Sequence, residues 1–203
     1  MVSIYGSTDR FMLKQMIGEE SVGYYATAVT LCNMWVFVLS AVVDSLTPPI
    51  IQAYSEDKAL YAKRNKQLYA IVFYVSAFIS LCFMFFGRIA IRILYGEAYS
   101  GAATPLNIIT WYTAFSYLGV ARNAWIVCEH KQFYLKYLYI GAAITNVVIN
   151  ALLIPKWGAS GAAMASLLTQ MSTILIFPAL IKDLRPNVKL MIDAIRFKDI
   201  FNK

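Results

Sequence analysis

The chain has 203 residues, of which 60% are hydrophobic and only 14% are charged. Because a soluble domain carries about 25% charged residues, this composition excludes a water-soluble globular fold, in agreement with a mean hydropathy of +0.59. The net charge is +7. The basic residues lie in short gaps between apolar runs, so the charge indicates membrane topology and argues against nucleic-acid binding.

Residues 1–21 form a polar segment that is too short to cross a bilayer, which takes about 20 mostly apolar residues. They are interpreted as the end of a truncated helix followed by an external junction. The first predicted span, 22–46, carries Asp44 close to its end, and Pro48 and Pro49 are expected to stop the helix there. Asp44 is a candidate substrate-binding residue. It either neutralises Arg122 or takes part in a proton- or cation-linked step.

The second predicted span, 68–86, is followed by a mixed segment from Arg88 to Tyr99. Its apolar residues fall on one side, with Arg88, Arg92 and Glu97 among them. This pattern fits a short helix at the membrane interface. The alternative is a frayed continuation of the span itself.

The third predicted span, 103–127, contains Arg122, the one basic residue well inside an apolar run. It lies about six residues from the end of its helix, or roughly 9 Å at the rise of an α-helix. Its side chain either reaches back to the lipid headgroups or faces an internal cavity. In a cavity, the planar guanidinium could hold a phosphate or pyrophosphate through two parallel hydrogen bonds.

The fourth and fifth predicted spans, 133–154 and 159–181, form a hairpin whose turn runs from Pro155 to Gly158. Asn146 and Asn150 are one helical turn apart and therefore share a face near the membrane centre. Such amides either hold helices together or line a polar path for a sugar. Small residues after the turn allow two helices to approach closely.

The distribution of Lys and Arg predicts the orientation of the chain. Twelve of them fall in 58–66, 131–136 and 182–203, and five fall on the other side, at Arg10, Lys14, Arg88, Arg92 and Lys156. Because the richer side stays in the cytoplasm, the basic tail 182–203 is predicted to be cytoplasmic and the hairpin turn to lie outside. An odd number of spans with an external amino end favours the carboxyl-terminal part of a longer transporter, although a genuine short reading frame is the alternative.

Enzymatic signals are weak in this sequence. The only histidine, His130, lies in a predicted loop, and no nucleophile elbow or glycine-rich phosphate loop is present. The three cysteines are far apart and form neither a disulfide framework nor a metal-ligand cluster. We therefore expect a protein that is not an enzyme and that uses no cofactor and no metal.

Three segments carry a family resemblance, in family order. Asn146–Ser166, NVVINALLIPKWGASGAAMAS, resembles a paired-helix signature with an asparagine-bearing helix, an "LIP-x-x-G" turn and a "GxxGAAxA" helix. Ser7–Ala28, STDRFMLKQMIGEESVGYYATA, is similar to a "D-R-x-x-L…G…VG-x-Y" junction, and Leu94–Ile108, LYGEAYSGAATPLNI, to a "YG-x-x-Y…A…L" element. On these motifs the chain resembles the polysaccharide flippases of the multidrug/oligosaccharidyl-lipid/polysaccharide exporter superfamily, which move O-antigen and capsule repeat units.

The resemblance implies half of a two-lobed bundle in the bacterial inner membrane. It implies that a lipid-linked oligosaccharide, carried on undecaprenyl pyrophosphate, crosses the membrane by alternating access for surface polysaccharide biosynthesis. It makes Arg122 a candidate cationic cavity residue. Membrane lipids, a polysaccharide polymerase and glycosyltransferases are the further partners expected, and nucleic acid is not. The alternatives are a drug/cation antiporter of the same superfamily, a non-transporting scaffold or gene remnant, and a membrane enzyme of lipid-linked sugar assembly.

Overall fold

A computed structural model describes residues 2–196 of the chain and the side chains of residues 6–196. This part of the chain contains helices and turns and no strand. The α-helices are α1 (Val2–Met16), α2 (Glu19–Asn33), α3 (Val36–Glu56), α4 (Lys58–Tyr95), α5 (Ala103–Cys128), α6 (Leu135–Met171), α7 (Phe177–Leu180) and α8 (Arg185–Ile195). The predicted all-α fold class is confirmed.

Three helical segments of residues 2–196 are long and apolar enough to cross a membrane, namely Val36–Glu56, Lys58–Tyr95 and Gln132–Leu180. The chain is therefore a membrane-embedded helical bundle. Helix α5 has 26 residues, 15 of them buried, and it packs against α2, α3, α4 and α6. Since most of its side chains are buried against other helices, α5 tolerates the polar groups that lower its hydropathy.

The first predicted span differs from the structure in its middle and at its carboxyl-terminal end. The helix is interrupted at Met34 and Trp35, which separates α2 from α3. The expectation that Pro48 and Pro49 stop the helix is wrong, because α3 continues through both to Glu56. Pro48 and Pro49 leave the carbonyls of Asp44 and Ser45 without their helical N–H donors. Membrane helices tolerate such prolines because neighbouring helices and polar side chains can satisfy the freed groups.

Helix α4 is one continuous helix of 38 residues. It begins after Asp57, whose side chain accepts a hydrogen bond from the Ala59 N–H at 2.8 Å, and ends at Gly96, where φ is 84°. The segment that was expected to form an interfacial helix therefore continues α4 as far as Tyr95, as the alternative interpretation proposed. A short 3-10 helix, Glu97–Ala102, follows.

Helix α6 is a tight hairpin whose two arms meet at Gly158, where φ is 50° and ψ is −128°. Asn150 and Ser166 both bind the carboxylate of Asp9, although in a straight helix they would lie about 24 Å apart. A Cβ atom on Gly161 would lie 2.4 Å from the Leu153 carbonyl oxygen. The two arms therefore run side by side. At Gly161, which has no side chain, the backbone of the second arm packs directly against the backbone of the first arm at Leu153.

The carboxyl-terminal segment packs onto α4 in its described part. Asn187 of α8 donates to the Tyr69 hydroxyl at 2.7 Å, and the Tyr74 hydroxyl donates to the Ile195 carbonyl at 2.6 Å. The predicted basic tail 182–203 thus includes a docked helix. Residues 197–203, with Lys198 and Lys203, lie outside the described residues.

Candidate functional site

A buried carboxylate, Asp9, lies at the point where α1 packs against both arms of the hairpin. Asp9 has 0% of its surface exposed. Its Oδ1 accepts hydrogen bonds from Asn150 Nδ2 at 2.6 Å and from Asn146 Nδ2 at 3.2 Å. Its Oδ2 accepts from the hydroxyls of Tyr25, at 2.6 Å, and Ser166. Four donors from α2 and the two arms of α6 therefore converge on one carboxylate.

These five residues, Asp9, Tyr25, Asn146, Asn150 and Ser166, form what we call the Asp9 cluster. Two of its members, Asn146 and Asn150, are candidates from the sequence, and the structure brings them together. Asn150 Nδ2 also donates to Asn146 Oδ1 at 3.2 Å. Both amides are thus used for contacts between helices, as the packing interpretation expects.

Asp9 is the residue that the sequence analysis missed. It was identified only as part of a family motif, because residues 1–21 look like a polar junction and nothing in their composition places an acid beside mid-membrane amides. A carboxylate buried at membrane depth is costly and is by default a functional candidate. The sequence feature that could have indicated this site is an acid, Asp9, in the same chain as a helix face that carries two asparagines, Asn146 and Asn150.

A second polar group, Arg122 of α5, lies in a cavity of about 270 Å³. Arg122 is 2% exposed, so its side chain lies inside the bundle and does not reach lipid headgroups. Nη1 donates to the Thr173 carbonyl at 3.3 Å, whereas the buried Nε has no hydrogen-bond partner. The other polar side chains of this Arg122 cavity are Tyr112, Ser116, Asn123, Tyr139, Gln170 and Thr173. A guanidinium with spare donors faces a space large enough for a small anionic group.

The Thr173 carbonyl is available because it lies in a π-helical segment, Ser172–Ile176. Such a segment inserts an extra residue into the turn, and π-bulges are frequent at functional sites. The Phe177 N–H bonds to the Ser172 carbonyl, and Pro178 has no N–H to offer, so the Thr173 carbonyl is left for Arg122. The local irregularity of the second hairpin arm thus provides the only hydrogen bond that the structure records for Arg122 among residues 2–196.

Asp44 does not neutralise Arg122. Asp44 is exposed on α3, and no ion pair in the described part of the chain contains either residue. The expectation of an Asp44–Arg122 pair came from equal depth along two helices. Depth does not fix the direction in which a side chain points, and Asp44 points away from the interior.

A second cavity, of about 200 Å³, borders both polar sites. Tyr25 and Ser166 of the Asp9 cluster lie in its wall, and it shares Tyr112 and Ser116 of α5 with the Arg122 cavity. One face of α5 therefore lies between the buried carboxylate and the buried guanidinium. In residues 2–196 no group of three His, Cys, Asp or Glu side chains could hold a metal ion.

The long apolar helices and the internal polar cavities define an integral membrane protein with a polar interior. A family model described as "Polysaccharide biosynthesis protein" matches residues 1–104, just over half of the chain. The chain therefore belongs to this polysaccharide biosynthesis family. Asp9 and Tyr25 lie within the matched part, and Arg122 and the hairpin follow it.

One relative is an uncharacterized membrane protein of Methanocaldococcus jannaschii, to which the chain is 24% identical over 168 residues. The alignment covers 80% of this chain and 32% of the relative. The chain thus spans about a third of the length of that protein. No solved structure matches the chain.

Proposed function

We propose that the chain takes part in moving a lipid-linked oligosaccharide across the membrane by alternating access. The Arg122 cavity is the observation that carries this proposal. A carbohydrate linked to a lipid through pyrophosphate presents an anion next to sugar hydroxyls. Arg122 supplies a buried cation, and Gln170, Tyr139 and Asn123 of the same cavity supply amides and a hydroxyl.

The charge of the site favours this substrate over a cationic drug. Arg122 has no carboxylate partner among the described residues, so its positive charge is not neutralised. A buried guanidinium binds phosphate through charge-assisted, geometrically matched hydrogen bonds, and it repels a cationic ligand. The carboxylate of Asp9 already accepts four hydrogen bonds, so it is poorly available to a drug cation. The drug/cation antiporter is therefore the less favoured alternative.

The cellular setting follows from the same proposal. Undecaprenyl pyrophosphate is the carrier that we propose, and the bacterial inner membrane is the site of action. The excess of Lys and Arg on the side of 58–66, 131–136 and 182–203 supports a cytoplasmic carboxyl terminus. Polysaccharide polymerase and glycosyltransferases are the proteins that would make and use the transported unit. The protein itself would bind and release the substrate without changing it covalently.

The test is complementation of a strain that lacks the complete gene. We expect the wild-type gene to restore surface polysaccharide, and Arg122→Ala to leave the lipid-linked unit in the cytoplasmic leaflet at equal protein level. Arg64→Ala is the matched control, because Arg64 is an exposed arginine of α4 outside the cavity. Full activity of Arg122→Ala would remove the cavity from the mechanism and favour a scaffold. Dye efflux driven by a proton or sodium gradient would favour the antiporter.

A further inference from the structure

A second basic pocket lies on the outside of the bundle, at the far end of α4. Its volume is about 250 Å³, and it is lined by Arg88, Ile89, Arg92, Gly96, Glu97 and Ser100. None of these residues belongs to the Asp9 cluster or the Arg122 cavity. We call it the Arg88 pocket, and we propose that it binds the phosphate group of a membrane phospholipid.

The position of the pocket along α4 places it at a membrane surface. Lys66 and Arg88 belong to the same continuous helix. Their separation corresponds to about 33 Å at the rise of an α-helix, close to the roughly 30 Å thickness of the hydrocarbon core. This separation matches the distance between the two headgroup levels, where lipid phosphates are found.

Of the two arginines in the pocket, only Arg88 lacks an ion-pair partner within residues 2–196 and can bind an anionic ligand. Arg88 and Arg92 are one helical turn apart, and like charges at this spacing repel each other. Arg92 forms an ion pair with Glu97. Within residues 2–196, no ion pair contains Arg88. An anion at Arg88 would offset the repulsion between the two guanidinium groups.

Apolar side chains beside the pocket favour an anion that carries acyl chains. Phe85, Ile89 and Ile93 follow one another at one-turn intervals, and each is more than half exposed, at 72%, 55% and 75%. Since residues three apart are also neighbours on a helix, this apolar stripe runs directly beside Arg88 and Arg92. A phospholipid would place its acyl chain on the stripe and its phosphate on Arg88.

The turn after α4 fixes the other wall of the pocket. Gly96 has a φ of 84°, a conformation that favours glycine, and it returns the chain so that Glu97 and Ser100 lie against Arg88 and Arg92. The backbone at Gly101 packs so closely on the ring of Tyr24 that a side chain there would collide with it. Ser100 thus lies in the wall of the pocket, and we expect its hydroxyl to donate to a phosphate oxygen.

Native mass spectrometry of the purified chain in detergent tests the proposal. The probes are phosphatidylglycerol, diacylglycerol with the same acyl chains, and inorganic phosphate. We expect phosphatidylglycerol to bind in preference to diacylglycerol, and Arg88→Gln to weaken its binding about tenfold, the size of one lost hydrogen bond to a charged group. Arg64→Gln, at the opposite end of the same helix, is the matched control and should change the affinity less than twofold.

Three outcomes would overturn the proposal. Equal binding of phosphatidylglycerol and diacylglycerol would show that the phosphate is not recognised. Equal losses in Arg88→Gln and Arg64→Gln would show a general effect of charge. Displacement of phosphatidylglycerol by inorganic phosphate at similar concentrations would make the pocket a site for soluble phosphate. Ser100→Ala provides a second variant, which should weaken binding less than Arg88→Gln because it removes a hydrogen bond but no charge.

Discussion

The Asp9 cluster and the Arg122 cavity each contain a buried charged group, but the two groups differ in how fully hydrogen bonds satisfy them. Asp9 is 0% exposed, and its carboxylate accepts four hydrogen bonds from side chains. Arg122 is 2% exposed, yet it makes one long hydrogen bond to a carbonyl and has a buried Nε without a partner. A saturated buried charge stabilises the arrangement of helices that surrounds it. An unsaturated one retains donors for a ligand, so the two sites differ in what their removal should cost.

The largest effect on stability is expected from Asp9→Ala. The substitution removes the acceptor for Tyr25, Asn146, Asn150 and Ser166, and a buried donor without a partner costs about 1–3 kcal/mol. Part of this loss is offset because burial of a carboxylate is itself unfavourable. We expect the free energy of unfolding to fall by about 3 kcal/mol in total, measured by titration with dodecyl sulfate in mixed micelles.

Asp44→Ala is the matched control for Asp9→Ala. Asp44 is an exposed carboxylate, so its removal should change the free energy of unfolding by less than about 0.5 kcal/mol. Similar losses in the two variants would mean that the Asp9 cluster does not hold the helices together.

The next largest effect is expected from Gly161→Ala, which separates the arms of the hairpin. The added Cβ would lie 2.4 Å from the Leu153 carbonyl oxygen, and backbone cannot yield as a flexible side chain does. Overpacking of this kind costs about 1–3 kcal/mol, and it should loosen the Asp9 cluster, since Asn150 and Ser166 come from opposite arms.

Gly6→Ala is the control for this substitution, measured by the same titration. Gly6 is also helical, but no heavy atom lies within 4 Å of its added Cβ. Replacing a glycine inside a helix then stabilises by roughly 0.5–1 kcal/mol. If Gly161→Ala is as stable as Gly6→Ala, the two arms are not in the close contact that the structure shows.

Tyr25→Phe removes one hydrogen bond from the Asp9 cluster and keeps the ring. We expect a loss of about 1 kcal/mol, since the remaining three donors still hydrogen-bond to the carboxylate. The neighbouring Tyr24 hydroxyl donates to Glu20 at the surface. Tyr24→Phe should therefore lower the free energy of unfolding by only a few tenths of the loss in Tyr25→Phe. A loss in Tyr25→Phe no larger than in Tyr24→Phe would contradict a saturated cluster.

The sequence predicted some members of these sites because local periodicity fixes them. A four-residue spacing places Asn146 and Asn150 on one face wherever the helix lies, and the structure reverses the chain at Gly158, within the predicted turn. Arg122 stood out because a charge within an apolar run is rare. All three signals are contained in short stretches of sequence.

Other features depend on contacts between distant segments, which local patterns do not contain. Asp9 was missed because its partners lie in α2 and α6. Asp44 was assigned to Arg122 by depth, although depth along a helix does not determine the facing of a side chain. Pro48 and Pro49 do not end α3, because neighbouring helices in a membrane bundle can satisfy the backbone groups that proline frees.

Arg122→Gln is expected to have little net effect on stability, although this residue is nearly as buried as Asp9. The substitution loses one hydrogen bond of 3.3 Å, but it also removes an unpaired charge from the interior, where such a charge is costly. The two contributions oppose each other, and the change in the free energy of unfolding should stay within about 1 kcal/mol of zero.

The same variant should nevertheless lose polysaccharide export by at least about tenfold, because the pyrophosphate would lose its charge-assisted contact. Arg122→Lys separates charge from shape: it keeps the cation and loses the planar guanidinium, so export should be partly restored. An unfolding loss of about 3 kcal/mol in Arg122→Gln would instead make Arg122 a structural residue like Asp9. A stable Arg122→Gln with impaired export would show that the two buried charges have different roles. Asp9 would hold the helices together, and Arg122 would bind the ligand.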